Sequence, residues 1–353
     1  MTEAPPPGWR MPAEWEPHEA TWLAWPHERS DWPGKFAPIP WVYAEIVRHL
    51  ARVERVCLLV ETREAIAPLR RLLEKAGVQL EAVDFFVCPT DRGWLRDAGP
   101  IFLKGPGGEV ALTDWLFNGW AKYDNWRRDN RVPAFIARRL GLRRWPTGIV
   151  LEGGAIDVNG LGSLLATEEC LLSPVQARNP HLSRRELEEA FARFLGVRHV
   201  LWLAAGIAGD DTHGHVDDVA RFVGPSTVVA AVEDDPADPN YEPLKENFER
   251  LRRMRDQDGN PLRIVRLPMP EPVFFAGQRL PASYTNFYIA NGLVLVPTFN
   301  DPKDRKALDT LARLFPDRQV VGIGSRDLVL GLGTIHCLTQ QQPARSGPSE
   351  PAQ

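Results

Sequence analysis

The sequence predicts an α/β fold made of five repeated ββαβ units, and three observations lead to this prediction. Short apolar or β-branched runs of strand length alternate with amphipathic segments of helix length. The pattern restarts near residues 18, 97, 154, 217 and 283, and strand-rich units repeated every roughly 50 to 80 residues are typical of closed, blade-like arrays. After the fifth unit one further strand is expected, which can complete the unit that the first strand begins.

The first half of the chain follows the pattern loosely, because an additional helix and strand precede the second unit. We predict a proline-rich, flexible N-terminus over residues 1–10, followed by a single α/β domain over residues 11–343. The elements of this half are expected at His18–Trp25 (strand), Trp41–Leu50 (helix), Arg55–Val60 (strand), Arg63–Lys75 (helix), Leu80–Val87 (strand), Gly99–Trp115 (hairpin), Val132–Leu140 (helix) and Gly148–Leu151 (strand).

The second half repeats the unit clearly. Two strands are predicted within Gly154–Pro174, and the next helix begins with a capping box of Ser183 and Glu186 and ends before Gly196. A disordered tail is predicted over residues 344–353. The remaining elements are expected at His199–Ala204, Asp218–Val223 and Thr227–Val232 (strands), Glu242–Arg255 (helix), Leu262–Leu267, Thr285–Asn291 and Leu293–Phe299 (strands), Pro302–Leu314 (helix) and Arg318–Ile323 (strand).

Composition limits the class of protein. Charged residues make up 25% of the 353 residues and the net charge is −4, so the chain lacks the basic surplus expected of proteins that bind nucleic acid or anionic membranes. No apolar run approaches the ~20 residues of a membrane span, and the N-terminus lacks a signal pattern, which predicts a cytoplasmic protein. Four scattered cysteines predict neither a disulfide framework nor a zinc knuckle, and Cys57, Cys88 and Cys170 are expected in the core.

Two unusual stretches suggest a reactive cysteine. In Gly331–Pro343 a Gly-Leu-Gly turn precedes Cys337, and Gly333 would let the backbone approach another group closely. The neighbours of Cys337 predict a short strand, so His336 is expected to face away from the thiol. A second stretch, Gly209–Phe222, combines two histidines with four aspartates. Histidine and carboxylate are the partners that make a thiol nucleophilic.

Polar residues lie where the predicted units begin or end. Asp97 begins the second unit, Glu152 precedes the third, His215 and Asp217 begin the fourth, and Cys337 lies in the last strand. Equivalent positions of a closed array converge on its axis, so these five side chains are expected to meet in one central pocket. Considered one at a time, the carboxylates are also open to a plain ion-pairing role.

This set of side chains suits attack on a guanidinium group. Two carboxylates can hold its nitrogens, and the cationic substrate would favour the thiolate of Cys337. Cys337 would add to the central carbon and His215 would protonate the departing ammonia. His215 would then activate water to hydrolyse the covalent thiouronium, so neither a metal nor an organic cofactor is needed. Trp94 is a candidate for stacking on the bound cation, with core packing as the alternative.

Two other classes of function stay open on these residues. The spacing His213-x-His215-x-Asp217, with Asp211 and Asp218 beside it, resembles a metallohydrolase ligand set. The remaining histidines form no comparable cluster, which weighs against a two-metal site. A non-catalytic binding module on the same architecture would leave the cysteine, histidine and carboxylates without a role.

A resemblance to a known family extends over nearly the whole chain. Six stretches carry it: MPAEWEPHEATWLAWP, WLRDAGP, LEGGAIDVNG, DDTHGHVDDVARFV, PASYTNFYIANG and GTIHCLTQQQP. They are similar to those of agmatine deiminases, guanidino-group-modifying enzymes of the five-bladed α/β-propeller (pentein) fold. The resemblance therefore implies a propeller with pseudo-fivefold symmetry.

The resemblance also implies roles for individual residues. Cys337 corresponds to the nucleophile of the family, and His215 corresponds to its general acid and base. Asp97 and Asp217 correspond to the residues that hold the guanidinium. Glu152 corresponds to a residue that orients the reacting group or shares its protons. Trp94 and Gly333 are expected to contact substrate. The implied reaction is hydrolysis of agmatine to N-carbamoylputrescine and ammonia, in putrescine and polyamine biosynthesis, without metal, by a cytoplasmic homodimer. A bacterial-type peptidyl-arginine deiminase shares the fold and catalytic set and is the alternative.

Overall fold

A computed structural model of the chain describes residues 3–345, so most of the predicted tail, residues 346–353, lies outside the described part. The strands are β1 His18–Ala24, β2 Arg55–Val60, β3 Val83–Val87, β4 Ile101–Lys104, β5 Val110–Leu116, β6 Arg144–Val150, β7 Asp157–Val158, β8 Ser163–Thr167, β9 His199–Leu203, β10 Ala220–Gly224, β11 Thr227–Val232, β12 Arg263–Pro268, β13 Phe274–Phe275, β14 Gln278–Arg279, β15 Tyr288–Ala290, β16 Leu293–Thr298, β17 Gln319–Gly324 and β18 Gln340–Pro343.

The helices connect the strands of single sheets or carry side chains of the candidate site. They are α1 Ile39–Leu50, α2 Ile66–Lys75, α3 Leu95–Ala98, α4 Val132–Leu140, α5 Glu168–Leu172, α6 Arg184–Leu195, α7 Tyr241–Arg253, α8 Lys303–Leu314 and α9 Ile335–Leu338. Short 3-10 turns cover residues such as Asp129–Arg131, Gly153–Ala155 and Val216–Asp218. None of the helices within residues 3–345 has the length and apolar character that crossing a membrane requires.

Sixteen of the strands form five sheets of one common plan, which confirms the predicted α/β class, and β13 and β14 form a separate two-stranded antiparallel sheet. The strand orders of the five sheets are β18-β1-β2-β3, β4-β5-β6, β7-β8-β9, β10-β11-β12 and β15-β16-β17. In each of the five the first pair is antiparallel and the next pair is parallel, with at least one helix between the two parallel strands in the chain. Parallel pairing needs such a crossover, and the helix covers one face of its sheet.

The helices bury one face each, as their amphipathic sequences predict. In α6, Leu187, Phe191 and Phe194 are buried, whereas Arg185 and Glu189 pair with each other on the exposed side. The predicted capping box of Ser183 and Glu186 is present, and Gly196 ends the helix in the left-handed conformation at φ 69°. Both features satisfy backbone groups that a helix end otherwise leaves unpaired.

The C-terminal strand completes the first sheet as expected, but it begins later than predicted. Gln340 pairs with Trp22 and Gln341 with Thr21 in the antiparallel β1–β18 ladder. The prediction that Cys337 lies in this strand is wrong, because Cys337 belongs to the helical turn α9. A buried apolar run of four residues looks the same in a strand and in a helical turn, so its hydrophobicity could not distinguish them.

The N-terminal segment makes contacts from its first described residue onward, since Glu3 pairs with Arg143. The ring of Trp9 meets that of Trp145 edge-on with 5.1 Å between centroids, and the backbone of Arg10 bridges to that of Lys104. Arg10 also pairs with Glu16. The last two residues of the range predicted to be flexible therefore pack on the domain.

Candidate active site

A cavity of about 570 Å³ opens beside the helical turn α9. Cys337, Asp97 and both predicted substrate contacts, Trp94 and Gly333, line it. A Cβ atom on Gly333 would lie 2.8 Å from the Trp94 ring and 3.0 Å from the Cβ of Cys337. Only glycine therefore fits between the indole and the cysteine. The Trp94 indole N–H donates to Asp31 at 3.0 Å, which fixes the ring at the cavity wall.

Cys337 is buried at the inner end of this cavity, with only 6% of its surface exposed. Its Sγ lies 3.7 Å from Oδ2 of Asp217 and accepts a hydrogen bond from Nδ2 of Asn286 at 3.2 Å. Burial, followed by the negative charges of Asp217, Asp218 and Asp97, raises the pKa of the Cys337 thiol well above its ordinary value. The thiol of the ligand-free protein is therefore protonated, and a cation bound beside it would favour the thiolate.

Asn286 is a site residue that the sequence interpretation missed. Besides the thiol, it contacts Oδ1 of Asp218 at 3.0 Å and accepts a hydrogen bond from the Thr334 hydroxyl at 2.7 Å. It therefore ties the fourth unit to the turn that carries Cys337. A signal was available, since Asn286 lies near the start of the fifth unit, where the other units place their reactive side chains.

His215 lies between two carboxylates without a hydrogen bond to either. Its Nδ1 is 3.8 Å from Oδ1 of Asp97 and its Nε2 is 3.7 Å from Oε2 of Glu152. Both ring nitrogens are buried and have no hydrogen-bond partner. Burial lowers the pKa of His215, but Asp97 and its other neighbours outweigh burial and raise that pKa well above its ordinary value. The imidazole is therefore charged and its protons are unengaged.

Glu152 is fully buried at the end of β6 and is held by an arginine. Nε of Arg178 donates to Oε1 of Glu152 at 3.1 Å, while Oε2 has no hydrogen-bond partner. Burial raises the pKa of Glu152, but Arg178 and His215 outweigh it and hold the pKa at about 2. The carboxylate therefore stays ionised. Arg178, like Asn286, was not singled out from the sequence.

Asp97 lies on α3, close to the backbone of Gly154. Its Oδ1 accepts the backbone N–H of Gly154 at 3.0 Å and its Oδ2 accepts the indole N–H of Trp120 at 2.9 Å. Burial, opposed by His215 and reinforced by Asp217, raises the pKa of Asp97 to about 6. A Cβ on Gly154 would lie 2.6 Å from Nδ1 of His215, 2.8 Å from Oδ1 of Asp97 and 3.1 Å from Oδ2 of Asp217. The three side chains thus converge on one glycine.

Asp217 is held by His336, a role that the sequence interpretation did not give to this histidine. Nδ1 of His336 is 2.6 Å from Oδ2 of Asp217, and its Nε2 is 2.9 Å from Oε2 of Glu14. Burial raises the pKa of Asp217, but the bond and charge of His336 outweigh it and lower that pKa. In the helical turn α9, His336 and Cys337 can both reach Asp217. The strand on which the expectation for His336 was based is absent, since both residues lie in this helical turn.

The metal-ligand cluster considered around His213 does not form. His213 points to Ser173, with 3.3 Å between Nε2 and Oγ, and it does not line the cavity. Within residues 3–345 the one group spaced to hold a metal consists of Glu152, Cys170 and His215. Cys170 is buried as predicted, but its place beside His215 was not foreseen. Metallohydrolase chemistry based on His213, His215 and Asp217 therefore lacks its ligand set.

Comparison with known proteins identifies the family. The model of the Porphyromonas-type peptidyl-arginine deiminases matches residues 10–343. The chain belongs to this family. It is 37% identical to the agmatine deiminases of Ectopseudomonas mendocina and Pseudomonas aeruginosa, over 96% of this chain and 97% and 96% of theirs. The agmatine deiminase structure from Enterococcus faecalis superposes with a TM-score of 0.89 at 33% identity, covering 96% of this chain and 97% of that one.

In this member of the Porphyromonas-type peptidyl-arginine deiminase family, the cavity has a further group of charged and aromatic lining residues. Asp31 pairs with Arg92, whose guanidinium lies 4.0 Å from the ring centroid of Tyr123. The Tyr123 hydroxyl donates to Asp211 at 2.5 Å, and Asp211 also pairs with Lys122. Burial, opposed by Arg92, raises the pKa of Asp31 to about 6. Two further carboxylates, Asp31 and Asp211, therefore line the cavity, each paired with a cation.

Proposed function

We propose that this protein is an agmatine deiminase that hydrolyses agmatine to N-carbamoylputrescine and ammonia through a covalent thiouronium on Cys337. One observation carries the proposal. Of the seven buried side-chain polar atoms without a hydrogen-bond partner in residues 3–345, four belong to Glu152, His215 and Asp217. Buried polar atoms normally have partners, so the two carboxylate oxygens among these four, Oε2 of Glu152 and Oδ1 of Asp217, require a ligand that brings N–H groups and positive charge. A guanidinium supplies both.

The geometry supports a sequence of steps. Asp97 and Asp217 hold the guanidinium nitrogens, and the bound cation favours transfer of the Cys337 proton to water in the cavity. The thiolate adds to the central carbon, His215 protonates one nitrogen, and ammonia leaves, so a thiouronium remains on the sulfur. His215 then takes a proton from water, and the resulting hydroxide attacks the same carbon. The C–S bond breaks, which releases the urea-type product and regenerates Cys337.

The placement of the other groups supports the same roles. The ionised Glu152 stabilises the charged imidazole of His215, and Arg178 keeps that carboxylate in position. Trp94 and Gly333 border the path to the sulfur, where a planar cation can stack against the indole. Asp31 and Asp211 also line the cavity, but each is already paired with a cation, Arg92 and Lys122 respectively. The choice of agmatine as substrate rests on the similarity to agmatine deiminases.

We also propose that the five sheets surround the site as the blades of a pseudo-fivefold α/β propeller, in a cytoplasmic homodimeric enzyme of putrescine and polyamine biosynthesis. The common strand order of the sheets supports the propeller. So does the origin of the site, because its five side chains come from four segments, each of which connects two different sheets. Residues 11–343 would then form one catalytic domain.

The proposal is tested by ammonia release from agmatine, free arginine and a peptidyl-arginine mimic, each with and without a chelator. We expect turnover of agmatine that a chelator does not abolish, and no turnover by a Cys337→Ala variant with an unchanged circular dichroism spectrum. Preference for the peptidyl mimic would keep the chemistry but favour the peptidyl-arginine alternative. A Cys337→Ala variant that retains most of its rate would refute the mechanism.

A further inference from the structure

Behind His215, on the side of Glu152, lies a third side chain for which the proposed reaction has no use. Cys170 is completely buried in the helical turn α5. One ligand atom each from Glu152, Cys170 and His215 lie within 4.8 Å of one another. Thiolate, imidazole and carboxylate together are the ligand set preferred by zinc and other borderline-soft divalent metals.

The trio has two free and correctly spaced ligand atoms. Oε2 of Glu152 and Nε2 of His215 are buried, have no hydrogen-bond partner and lie 3.7 Å apart. Ligands of a tetrahedral zinc with bonds of 2.0 to 2.3 Å are roughly 3.3 to 3.8 Å apart, so this pair needs no rearrangement. Arg178 binds the other oxygen of Glu152 and thereby presents Oε2 towards His215, as second-shell partners of metal ligands do.

The geometry points to an inhibitory binding site for Zn²⁺, or a divalent metal of similar softness, formed by Glu152, Cys170 and His215. Binding would release two protons, one from the Cys170 thiol and one from Nε2 of His215, with no redox change. Three protein ligands leave the fourth position of a tetrahedral ion for water. Asp97 and Asp217 add negative charge nearby, which offsets the positive charge of Arg178.

Inhibition rests on the proposed function, whereas metal binding itself does not. A metal on Nε2 replaces the proton there and leaves an imidazole with one proton, on Nδ1. This ring is too weak an acid to protonate the departing ammonia, and it has no free nitrogen that could take a proton from water. The metal and the substrate cation would also repel each other across the site. Zinc is therefore expected to lower turnover, and a chelator to restore it.

Metal binding is tested in the Cys337→Ala variant, which removes the other thiol of the site. We expect one Zn²⁺ per chain by calorimetry in this variant. Co²⁺ should give the near-ultraviolet charge-transfer band of a thiolate ligand. Adding Cys170→Ser should weaken zinc binding at least tenfold and remove the band. The matched control, Cys57→Ser in the same background, removes a buried cysteine elsewhere and should change neither result.

Each outcome decides the inference separately from the proposed function. No zinc bound by Cys337→Ala, or binding and a cobalt band that persist after Cys170→Ser, would overturn the site even if agmatine is deiminated. If the Cys170→Ser variant does not fold, the cobalt spectrum of Cys337→Ala still tests the proposed metal site. Absence of a thiolate charge-transfer band in that spectrum would refute the site. In the active enzyme, zinc inhibition should weaken at least tenfold on Cys170→Ser, each protein being compared with its own zinc-free rate.

Discussion

At the scale of single residues, Gly154 determines how closely the polar groups of the site can approach. Its missing side chain leaves room for His215, Asp97 and Asp217. Gly154→Ala places a methyl group among them and must displace at least one by several tenths of an ångström. Because displacements of this size disrupt near-attack geometry, we expect kcat/KM for agmatine to fall at least ~100-fold. Ammonia release measures the loss.

The control for this substitution is Gly324→Ala. Gly324 has open space where a Cβ would lie and needs no left-handed backbone. Its variant should retain nearly full activity, and both variants should remain folded by circular dichroism. Near-normal activity of Gly154→Ala would mean that the three side chains need not be held as the structure holds them.

Asp217 is predicted to contribute chiefly to guanidinium binding. Its Oδ1 is buried without a hydrogen-bond partner, while Oδ2 is bonded to His336. Asp217→Asn retains the size of the side chain but removes the charge, so we expect KM for agmatine to rise at least ~10-fold, with a loss in kcat from poorer positioning. Steady-state kinetics separates the two effects, with Asp84→Asn at an exposed ion pair as control. Unchanged values of kcat and KM in the Asp217→Asn variant would mean that Asp217 does not bind the substrate.

The site residues predicted from the sequence are those with a local signal. Cys337 and His215 stand in unusual polar or glycine-rich contexts, and Asp97 and Glu152 lie at unit boundaries. Cys170 and Arg178 lack such signals, because their importance comes from a tertiary approach to His215 and Glu152. A buried cysteine in an apolar run looks the same whether it borders a reactive histidine or a leucine.

At the scale of elements, the limit of sequence reasoning is the short helical turn. The long helices and the strand pairs agree with prediction to within a few residues, since their periodicity extends over several turns or alternations. The four residues of α9 and the 3-10 turn Val216–Asp218 are too short to show any period. These two turns carry Cys337 and Asp217, so the least predictable elements determine the directions of the most important side chains.

Another short turn, Asp129–Arg131, makes a testable contribution to stability. The buried carboxylate of Asp129 accepts the backbone N–H of Asp91 at 2.7 Å and that of Arg92 at 3.2 Å. Burial, only partly offset by these bonds, raises the pKa of Asp129 to about 7. Because the folded state then binds the proton more tightly than the unfolded state, this group contributes stability as pH falls below 7, until about pH 4.

Asp129→Asn removes this titration. The free energy of unfolding of the natural protein minus that of Asp129→Asn should increase by roughly 2 kcal/mol between pH 8 and pH 5. Urea unfolding of both proteins at several pH values, monitored by tryptophan fluorescence, measures the difference. A difference that stays constant or decreases towards pH 5 would mean that the carboxyl does not hold its proton in the folded state.

At the scale of the whole molecule, the repeated ββαβ unit was predictable because its sequence pattern occurs five times in the chain. Each unit has its own strand pair, crossover helix and parallel strand, so an error in one unit does not hide the pattern in the others. The additional α2 and β3 of the first sheet interrupt the spacing but not the order. The pairing of the two chain ends was predicted by counting the strands of each unit. The first unit lacks one strand at the start of the chain, and one strand remains at the end of the chain to fill that place.

The pairing of the last strand, β18, with the first strand, β1, predicts how the protein responds to truncation at its C-terminus. Strand β18 pairs along β1, the Trp22 indole N–H donates to Gln342 at 2.9 Å, and Arg96 donates to Gln341 at 2.7 Å. A chain ending at Thr339 keeps every proposed catalytic residue but loses these bonds and exposes the edge of β1. We expect the midpoint of thermal unfolding to fall by at least ~10 °C, because several buried hydrogen bonds are lost together.

The matched control is a chain ending at Arg345, which keeps β18 and removes the rest of the predicted tail. Its midpoint and its rate of ammonia release should equal those of the full chain. If the chain ending at Thr339 unfolds at the same temperature as both, the last strand is not needed to hold the first sheet. Loss of activity in that chain without a change in unfolding would instead show that β18 acts locally, by holding the turn α9 and Cys337 in position.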